Sequence, residues 1–321
     1  MTYLFPPLLS LKTANGKGDR PFLDSSYDPI VQYIAHPSLS RNLIKLNTKI
    51  ISLTIDSNQP KPITLISSTG FLYEVDSVIV TIPLGCLKRD TIKFTPPLCV
   101  PVQNALSNLR FGTLEKLFIR FKTAWWLHPE TETDKIGLEF YRFTSLRSST
   151  AIQKGSLIFT SLARIHQPQP VFLIFVATSF AEYLVTKPKD QLKQMLQEHY
   201  IPHLPNFDAS DPACVIQNLE CTTWSQDELA GFGSYTYVPV GSDTGNENMK
   251  ILSEKILDAG EGGVWFAGEH TADTEVIDGE IYTTMATVTG AYKTGERAAK
   301  KVLEAYSITP ETKSSSLCRL L

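Results

Sequence analysis

The chain has 321 residues, 42% of them hydrophobic, and a formal net charge of −3. This composition is typical of a globular protein with one large or two moderate domains, and it gives no reason to expect direct binding to nucleic acid. No apolar run approaches the ~18 residues of a membrane-spanning helix, so no transmembrane segment is expected. The five cysteines form no Cys-x-x-Cys pair, which favours free thiols in the cytoplasm or another intracellular reducing compartment. A Cys214–Cys221 disulfide is the alternative.

Hydrophobic periodicity and turn residues predict an alternation of strands and helices along the chain. The predicted strands cover residues 42–53, 63–67, 71–75, 77–82, 114–121, 157–161, 171–177, 233–238 and 264–267. The predicted helices cover residues 28–35, 102–109, 187–199 and 283–306. Ser68-Thr69-Gly70 indicates a hairpin between the second and third strands. The continuous apolar run that ends at Pro83 is typical of a strand covered on both faces.

This order predicts a mixed α/β (α+β) fold in which one domain is interrupted by another. We expect residues 26–83 and 222–306 to form the outer domain, and residues 84–221 to form an inserted domain with a mixed sheet. Residues 307–321, rich in Ser and Thr, are expected to be a disordered tail. Cys318 begins a tail with the outline of a prenylation box, but a frayed terminus is the preferred interpretation because the residue after the cysteine is Arg.

The predicted strand Val264–Ala267 runs into Gly268 and Glu269, and a helix follows. A strand end, a glycine and a helix N-terminus together suit an anion or a dipole, because unpaired main-chain N–H groups point at the ligand. Glu269 would accept hydrogen bonds from sugar hydroxyls. The alternative is a tight turn with a solvated glutamate.

Beyond these local features, three segments near the C-terminus together resemble the C-terminal flavin-binding signature of the flavin amine oxidases. They are Val264-Trp265-Phe266-Ala267-Gly268-Glu269-His270-Thr271, Thr287-Val288-Thr289-Gly290-Ala291-Tyr292 and Gly295-Glu296-Arg297-Ala298-Ala299. This family includes polyamine oxidases, monoamine oxidases and lysine-specific histone demethylases. The resemblance implies an FAD cofactor, with Glu269 near its ribityl–phosphate region. It also implies that Thr287 and Val288 offer main-chain N–H groups to the flavin ring.

Further segments resemble the same family in the same order. They are residues 78–88 with 92–98, residues 109–116 with Phe121 and Trp125-Trp126, residues 223–227 with 231–237, and Asn47-Thr48-Lys49-Ile50. The resemblance implies a catalytic role for Lys116 near flavin N5, where it would hold a water while O₂ reoxidises the flavin. Trp224 and Tyr235 would be aromatic walls of the amine site, and the main chain of Ile50 would contact the adenine. The alternatives are a surface lysine and core aromatic residues, and Tyr237 is expected in the core.

The implied activity is oxidation of an amine to an imine and then an aldehyde, with O₂ reduced to H₂O₂. A small amine or polyamine is the expected substrate, and no metal is expected. The sequence departs from the family in two places. It contains no strand, G-x-G-x-x-G turn and helix, so the N-terminal Rossmann βαβ unit is expected to be missing and a partner to supply this half-domain. Residues 272–282, acidic and polar, also make the interval between Glu269 and Val288 longer than in the family, and the alternatives are a genuine insertion and an artefact of the gene prediction. The competing hypothesis is an inactive fragment that acts as a binding or structural module.

Overall fold

A computed structural model describes residues 27–127, 139–143, 157–164, 169–242, 245–272, 274–277 and 280–308. Its helices are α1 (Asp28–Leu39), α2 (Leu84–Leu87), α3 (Val100–Asn108), α4 (Thr178–Val185), α5 (Lys189–His199), α6 (Gly245–Ser253) and α7 (Val288–Ala305). The strands up to residue 120 are β1 (Ile50–Ile55), β2 (Ile63–Ser67), β3 (Leu72–Val75), β4 (Ser77–Val80), β5 (Lys93–Thr95), β6 (Arg110–Phe111) and β7 (Leu114–Arg120). The later strands are β8 (Glu139–Phe143), β9 (Leu157–Ser161), β10 (Val171–Ala177), β11 (Asn218–Cys221), β12 (Thr236–Tyr237), β13 (Lys255–Ala259), β14 (Gly262–Phe266), β15 (Thr274–Ile277) and β16 (Glu280–Thr283). Short 3₁₀ turns cover Ile201–His203, Pro212–Cys214, Trp224–Gln226 and Glu269–Thr271.

Residues 27–48 form a compact unit of their own, and the described residues from 49 to 308 form a second. The first contains helix α1, which confirms the predicted helix and extends it to Leu39. None of its residues is buried. The strand predicted from residue 42 is wrong up to residue 49, because Asn42 and Asn47 have φ angles of 55° and 54°, which an extended strand does not allow.

Two small sheets share one hydrophobic core in the second unit. The first sheet has the order β3-β2-β1-β5, in which β1, β2 and β3 are antiparallel neighbours and β5 is parallel to β1. The predicted hairpin between β2 and β3 is confirmed, and Gly70 in its turn has a φ of 84°, which favours glycine. The second sheet has the order β13-β14-β4, with β14 parallel to β4. Leu53, Leu84, Leu109 and Phe266 are fully buried in the core between these sheets, α3 and α6.

A close backbone approach explains the Pro-Leu-Gly element after β4. A Cβ added at Gly85 would lie 1.8 Å from the carbonyl oxygen of Gly231, which itself has a φ of 76°. Only a residue without a side chain allows helix α2 to lie this close to the loop that follows Trp224. The element is therefore a packing requirement of that loop.

The middle of the chain builds a larger antiparallel sheet with its own core. Its strand order is β11-β7-β10-β9-β8. Trp126 and Phe172 are fully buried in this core, with ring centroids 4.1 Å apart, and Phe159 packs on Phe172. Leu192 and Leu196 of α5 join this core, which confirms the apolar face predicted for that helix.

The mixed α/β fold with mixed sheets is as predicted. Residues 84–109 pack in the core shared by the two small sheets, hereafter the first core, rather than against the larger antiparallel sheet. The domain boundaries stay a prediction. Several elements differ from expectation. The segment predicted as a polar loop before Gly263 contains α6 and β13, and α4 follows β10 directly. Helix α7 begins at Val288 instead of residue 283, because Thr283 ends β16 and Ala286 has a φ of 62°.

Candidate functional site

The side chain of Glu269 joins three segments of the chain. It follows β14 through Gly268, whose φ of 141° favours glycine. Glu269 Oε1 accepts hydrogen bonds from the main-chain N and the hydroxyl of Thr236, at 3.1 and 2.6 Å. Its Oε2 accepts from the main-chain N of Ala286 at 2.9 Å. The solvated glutamate considered as the alternative is therefore not what the structure shows.

After Thr271, the strands β15 and β16 pair antiparallel. The chain then returns to Glu269, because Ala286, its hydrogen-bond partner, lies two residues before Val288. The residues between Thr271 and Thr287 thus leave Glu269 in contact with the segment that starts α7.

Helix α7 begins with a side-chain cap. The hydroxyl of Thr287 accepts from the main-chain N of Gly290 at 3.0 Å and donates to the carbonyl of Thr284 at 2.6 Å. The N–H groups of Val288 and Thr289, at the first two helical positions, have no intrahelical acceptor. Val288 is 52% exposed. The 18-residue helix therefore presents main-chain donors and the positive end of its dipole at this point.

His270 and Arg297 pack behind the Glu269 turn. Burial, with a smaller effect of the Arg297 charge, lowers the pKa of His270 to about 4. His270 Nε2 is buried without a hydrogen-bond partner among the described residues. Arg297 donates from Nη1 and Nη2 to the carbonyl and the hydroxyl of Thr271. The contacts of Arg297 with Thr271 fix the end of the turn.

Lys116 and Trp224 lie side by side, as the resemblance predicts for two residues of one site. Lys116 Nζ is 5.3 Å from the centre of the Trp224 ring and 5.7 Å from that of Phe175. Phe175 is the direct partner of Lys116 across β10 and β7. A lysine cation held between two aromatic faces is stabilised by their quadrupoles. Lys116 is therefore not an isolated surface lysine.

Glu115, which sequence reasoning did not single out, holds the segment that carries Trp224. Its side chain is 1% exposed. Oε2 accepts from the hydroxyl of Thr222 at 2.6 Å and from the main-chain N of Trp224 at 3.1 Å. Oε1 accepts from the main-chain N and the hydroxyl of Ser225, at 2.9 and 2.8 Å. Its sequence signals are its position next to Lys116 and its charge at an inward position of β7.

Tyr235 lies next to the residue that binds Glu269. Its carbonyl accepts from the main-chain N of Gly112 at 2.7 Å, and Thr236 pairs with Phe111 where β12 meets β6. The Tyr235 side chain is 38% exposed. Tyr237 is 44% exposed, so its predicted place in the core is wrong; its short strand covers only one of its faces.

Ile50 starts β1 opposite Ser67. The preceding Lys49 forms an ion pair with Glu228, in the loop after Trp224. The Cys86 thiol donates to the carbonyl of Glu228 at 3.3 Å. The structure therefore brings Lys116 next to Trp224 and Glu269 next to the neighbours of Tyr235 and Thr287, and it joins Lys49, the neighbour of Ile50, to the loop after Trp224.

Comparisons with known proteins show which family the chain belongs to. The model of the flavin containing amine oxidoreductases matches residues 11–303. The chain belongs to this family.

Curated relatives include the lysine-specific histone demethylase 1 homolog 1 of Arabidopsis thaliana, 32% identical over 233 residues, which are 72% of this chain and 24% of that protein. The Arabidopsis thaliana protein FLOWERING LOCUS D is 27% identical over 291 residues, 89% of this chain and 32% of its own. A solved structure of a putrescine oxidase mutant has a TM-score of 0.59 at 15% identity and covers 84% of this chain, which spans 51% of that protein. This last similarity shows the fold. The chain spans about a quarter to a third of the length of these two curated relatives.

The residues of this amine oxidoreductase site fit a flavin. A carboxylate oxygen accepts about two hydrogen bonds. Glu269 Oε1 already has two donors and Oε2 has one, so Oε2 retains capacity for a ligand hydroxyl. The open N–H groups of Val288 and Thr289 suit an electron-rich ring edge.

Other features of the amine oxidoreductase chain lie apart from this site. A cavity of 710 Å³ between α2, β5 and α3 is lined by none of the predicted site residues. The described ranges contain no group of three or more His, Cys, Asp or Glu side chains placed to hold a metal ion. Within them, no helix has both the length and the apolar character needed to cross a membrane. Cys214 and Cys221 are free thiols, so the disulfide considered above does not form, and Cys318 lies outside the described residues.

Proposed function

We propose that this chain forms the C-terminal part of an FAD site and that, with FAD bound, it oxidises an amine. The carbon–nitrogen single bond becomes an imine, which water hydrolyses to an aldehyde and either ammonia, from a primary amine, or a smaller amine. The observation that carries this proposal is the bond from Ala286 to Glu269, because it sets a ligand-accepting carboxylate beside the open N–H groups of α7. FAD bound there would accept the hydride and pass the two electrons to O₂, giving H₂O₂.

The chain's own residues have separate roles in this proposal. Glu269 would accept a hydroxyl of the cofactor, and Thr287 and Val288 would present main-chain donors to its ring. Lys116 would keep a positive charge and a bound water where O₂ reacts. Trp224 and Tyr235 would hold the substrate by apolar and cation–π contact. The backbone of Ile50 would contact the adenine.

We propose a small amine or a polyamine as the substrate. The names of the curated relatives add the side chain of a methylated lysine as the substrate to test beside it. Both are amines with a hydrogen on the carbon next to nitrogen, which the reaction requires. Nothing in the chain's composition favours direct contact with nucleic acid.

We further propose that a partner supplies the dinucleotide-binding half of the site. Strand β4 pairs with β14 on one side, and its other edge has no partner strand among the described residues. Unpaired strand edges are typical of surfaces that another chain segment covers. The described cysteines are free thiols, which supports an intracellular reducing compartment such as the cytoplasm.

The test measures flavin absorbance and peroxide production of the purified chain, with and without a dinucleotide-binding half supplied separately. Polyamines, monoamines and a peptide with methylated lysine are the substrates, and Lys116→Met is the control that should lose peroxide production. We expect the chain alone to bind FAD weakly or not at all, and the mixture to bind FAD and release H₂O₂. A chain that is stoichiometrically yellow alone would contradict the need for a partner.

A catalytically inactive binding or structural module is the second candidate. It is favoured by the sequence, which contains no G-x-G-x-x-G turn to hold the diphosphate. If the chain binds the separately supplied half but the resulting complex binds neither FAD nor amine, this function would be supported over the enzyme.

A further inference from the structure

We infer that Glu115 is a positioning residue that holds Trp224 beside Lys116. The inference rests on the proposed function for its purpose, because Lys116 and Trp224 matter to an amine site. Its physical content, the place of the Trp224 ring, can be measured without cofactor or substrate.

Glu115 and Lys116 are neighbours in β7 and reach the same tryptophan in different ways. Glu115 binds the main-chain N of Trp224 through Oε2, while the Lys116 ammonium lies over the ring. Successive side chains of a strand point to opposite faces. Trp224 is thus held at its backbone from the buried face and at its ring from the half-buried face of one strand.

Thr222 ties the carboxylate to the backbone of Lys116. The Thr222 hydroxyl accepts from the main-chain N of Lys116 at 2.8 Å and donates to Glu115 Oε2. The main-chain N of Thr222 donates to the carbonyl of Lys116 at 2.9 Å. The segment that leads into Trp224 is therefore fixed to the residue whose ammonium the ring must meet.

The chemistry of the four donors requires a carboxylate. They comprise two main-chain N–H groups and two hydroxyls, one of each on each oxygen of Glu115. A glutamine of the same shape has an acceptor on one side only, and its NH₂ group would face a main-chain N–H of Trp224 or Ser225. An unpaired buried donor is costly, so the segment would move.

The experiment compares the fluorescence of Trp224 in the cofactor-free chain of residues 1–321. The chain has four tryptophans, so the Trp224 signal is the difference between each protein and the same protein with Trp224→Phe. Lys116→Met removes the cation from the ring and should shift this signal. The same substitution in a Glu115→Gln background should cause no shift, because the ring has already left Lys116. Acrylamide should also quench Trp224 more strongly in Glu115→Gln.

Glu220→Gln is the matched control, since Glu220 lies on the neighbouring strand β11 in an exposed ion pair with Lys189. It should leave the Lys116→Met shift at full size. If Glu115→Gln does not fold, Glu115→Asp takes its place, because its shorter side chain withdraws the carboxylate from the donors of residues 222–225. An undiminished shift in folded Glu115→Gln, or in Glu115→Asp where that variant replaces it, would overturn the inference. Failure to bind flavin would bear on the proposed function and leave this measurement unaffected.

Discussion

Two glutamates organise this molecule, and they differ in where their hydrogen-bond donors come from. All donors to Glu115 lie within residues 222–225, and its side chain is fully buried. The donors to Glu269 come from Thr236 and Ala286, 33 and 17 residues away, and its side chain is partly exposed. A buried carboxylate with both oxygens saturated fixes one loop. A partly exposed one with capacity left can join several segments and still accept a ligand.

The largest expected effect is a difference in protein stability between substitutions of the two glutamates. Glu115→Gln leaves two donors without an acceptor, whereas Glu269→Gln can keep both Thr236 bonds and lose only that of Ala286. Hydrogen bonds to charged groups contribute about 1.5–3 kcal/mol each, so Glu115→Gln should lower the free energy of unfolding by about 3 kcal/mol or more. Glu269→Gln, partly exposed, should lower it by about 1 kcal/mol. Urea denaturation followed by circular dichroism measures both. Equal losses would remove the distinction.

The second effect is a dependence of the free energy of unfolding on pH, which we expect from His270 beside Glu269. The pKa of His270 is about 4 in the folded protein and near 6.5 when unfolded. Between these values the unfolded chain binds a proton that the folded chain does not, so stability falls as pH drops from 6.5 towards 4. The loss should approach about 3 kcal/mol at the acidic end. Urea midpoints at several pH values measure it, and His270→Gln should flatten this part of the dependence. A variant with the wild-type slope would exclude His270 as its origin.

The smallest effect on stability belongs to Val288→Pro, which should change ligand binding instead. Proline is well tolerated at the first helical position, and Thr287 already has the extended backbone (φ −127°, ψ 155°) that precedes proline. The free energy of unfolding should change by less than about 0.5 kcal/mol. Flavin affinity in the presence of the partner half should fall, because one main-chain donor is gone. A flavin titration measures this, with Val288→Ala as the control that keeps the N–H. Unchanged affinity would show that the Val288 donor does not contact the flavin.

Much of the fold was predictable because its strands bury alternate or continuous apolar residues and its turns contain glycine. The strands at 157–161 and 171–177 have the predicted bounds. Helix α6 escaped prediction because its first turn is polar, and the burial of Met249 and Leu252 against the first core stabilises it. The start of α7 was placed too early because the β-branched residues before it pair across a hairpin.

The site was predictable only where short motifs carry it. Glu269 and Val288 lie in the segments of the C-terminal signature, and the contact between Lys116 and Trp224 agrees with the roles that the further segments of the resemblance imply. Glu115 did not follow, because its partners lie more than 100 residues along the chain. Local sequence shows that a residue faces inward but not which distant donors will meet it. A charged residue at an inward position of a strand is the signal that would have raised the question.

The hairpin of β15 and β16 has a consequence for how this chain can vary. Hydrogen bonds hold the chain on both sides of the hairpin. Arg297 donates to Thr271 before it, and Ala286 after it donates to Glu269. The closure entropy of a loop grows slowly with its length, so residues added between fastened ends cost little. The hairpin is therefore a place where length can be gained or lost while the geometry below it is kept. It is the natural position at which to graft a tag or a binding peptide next to the site.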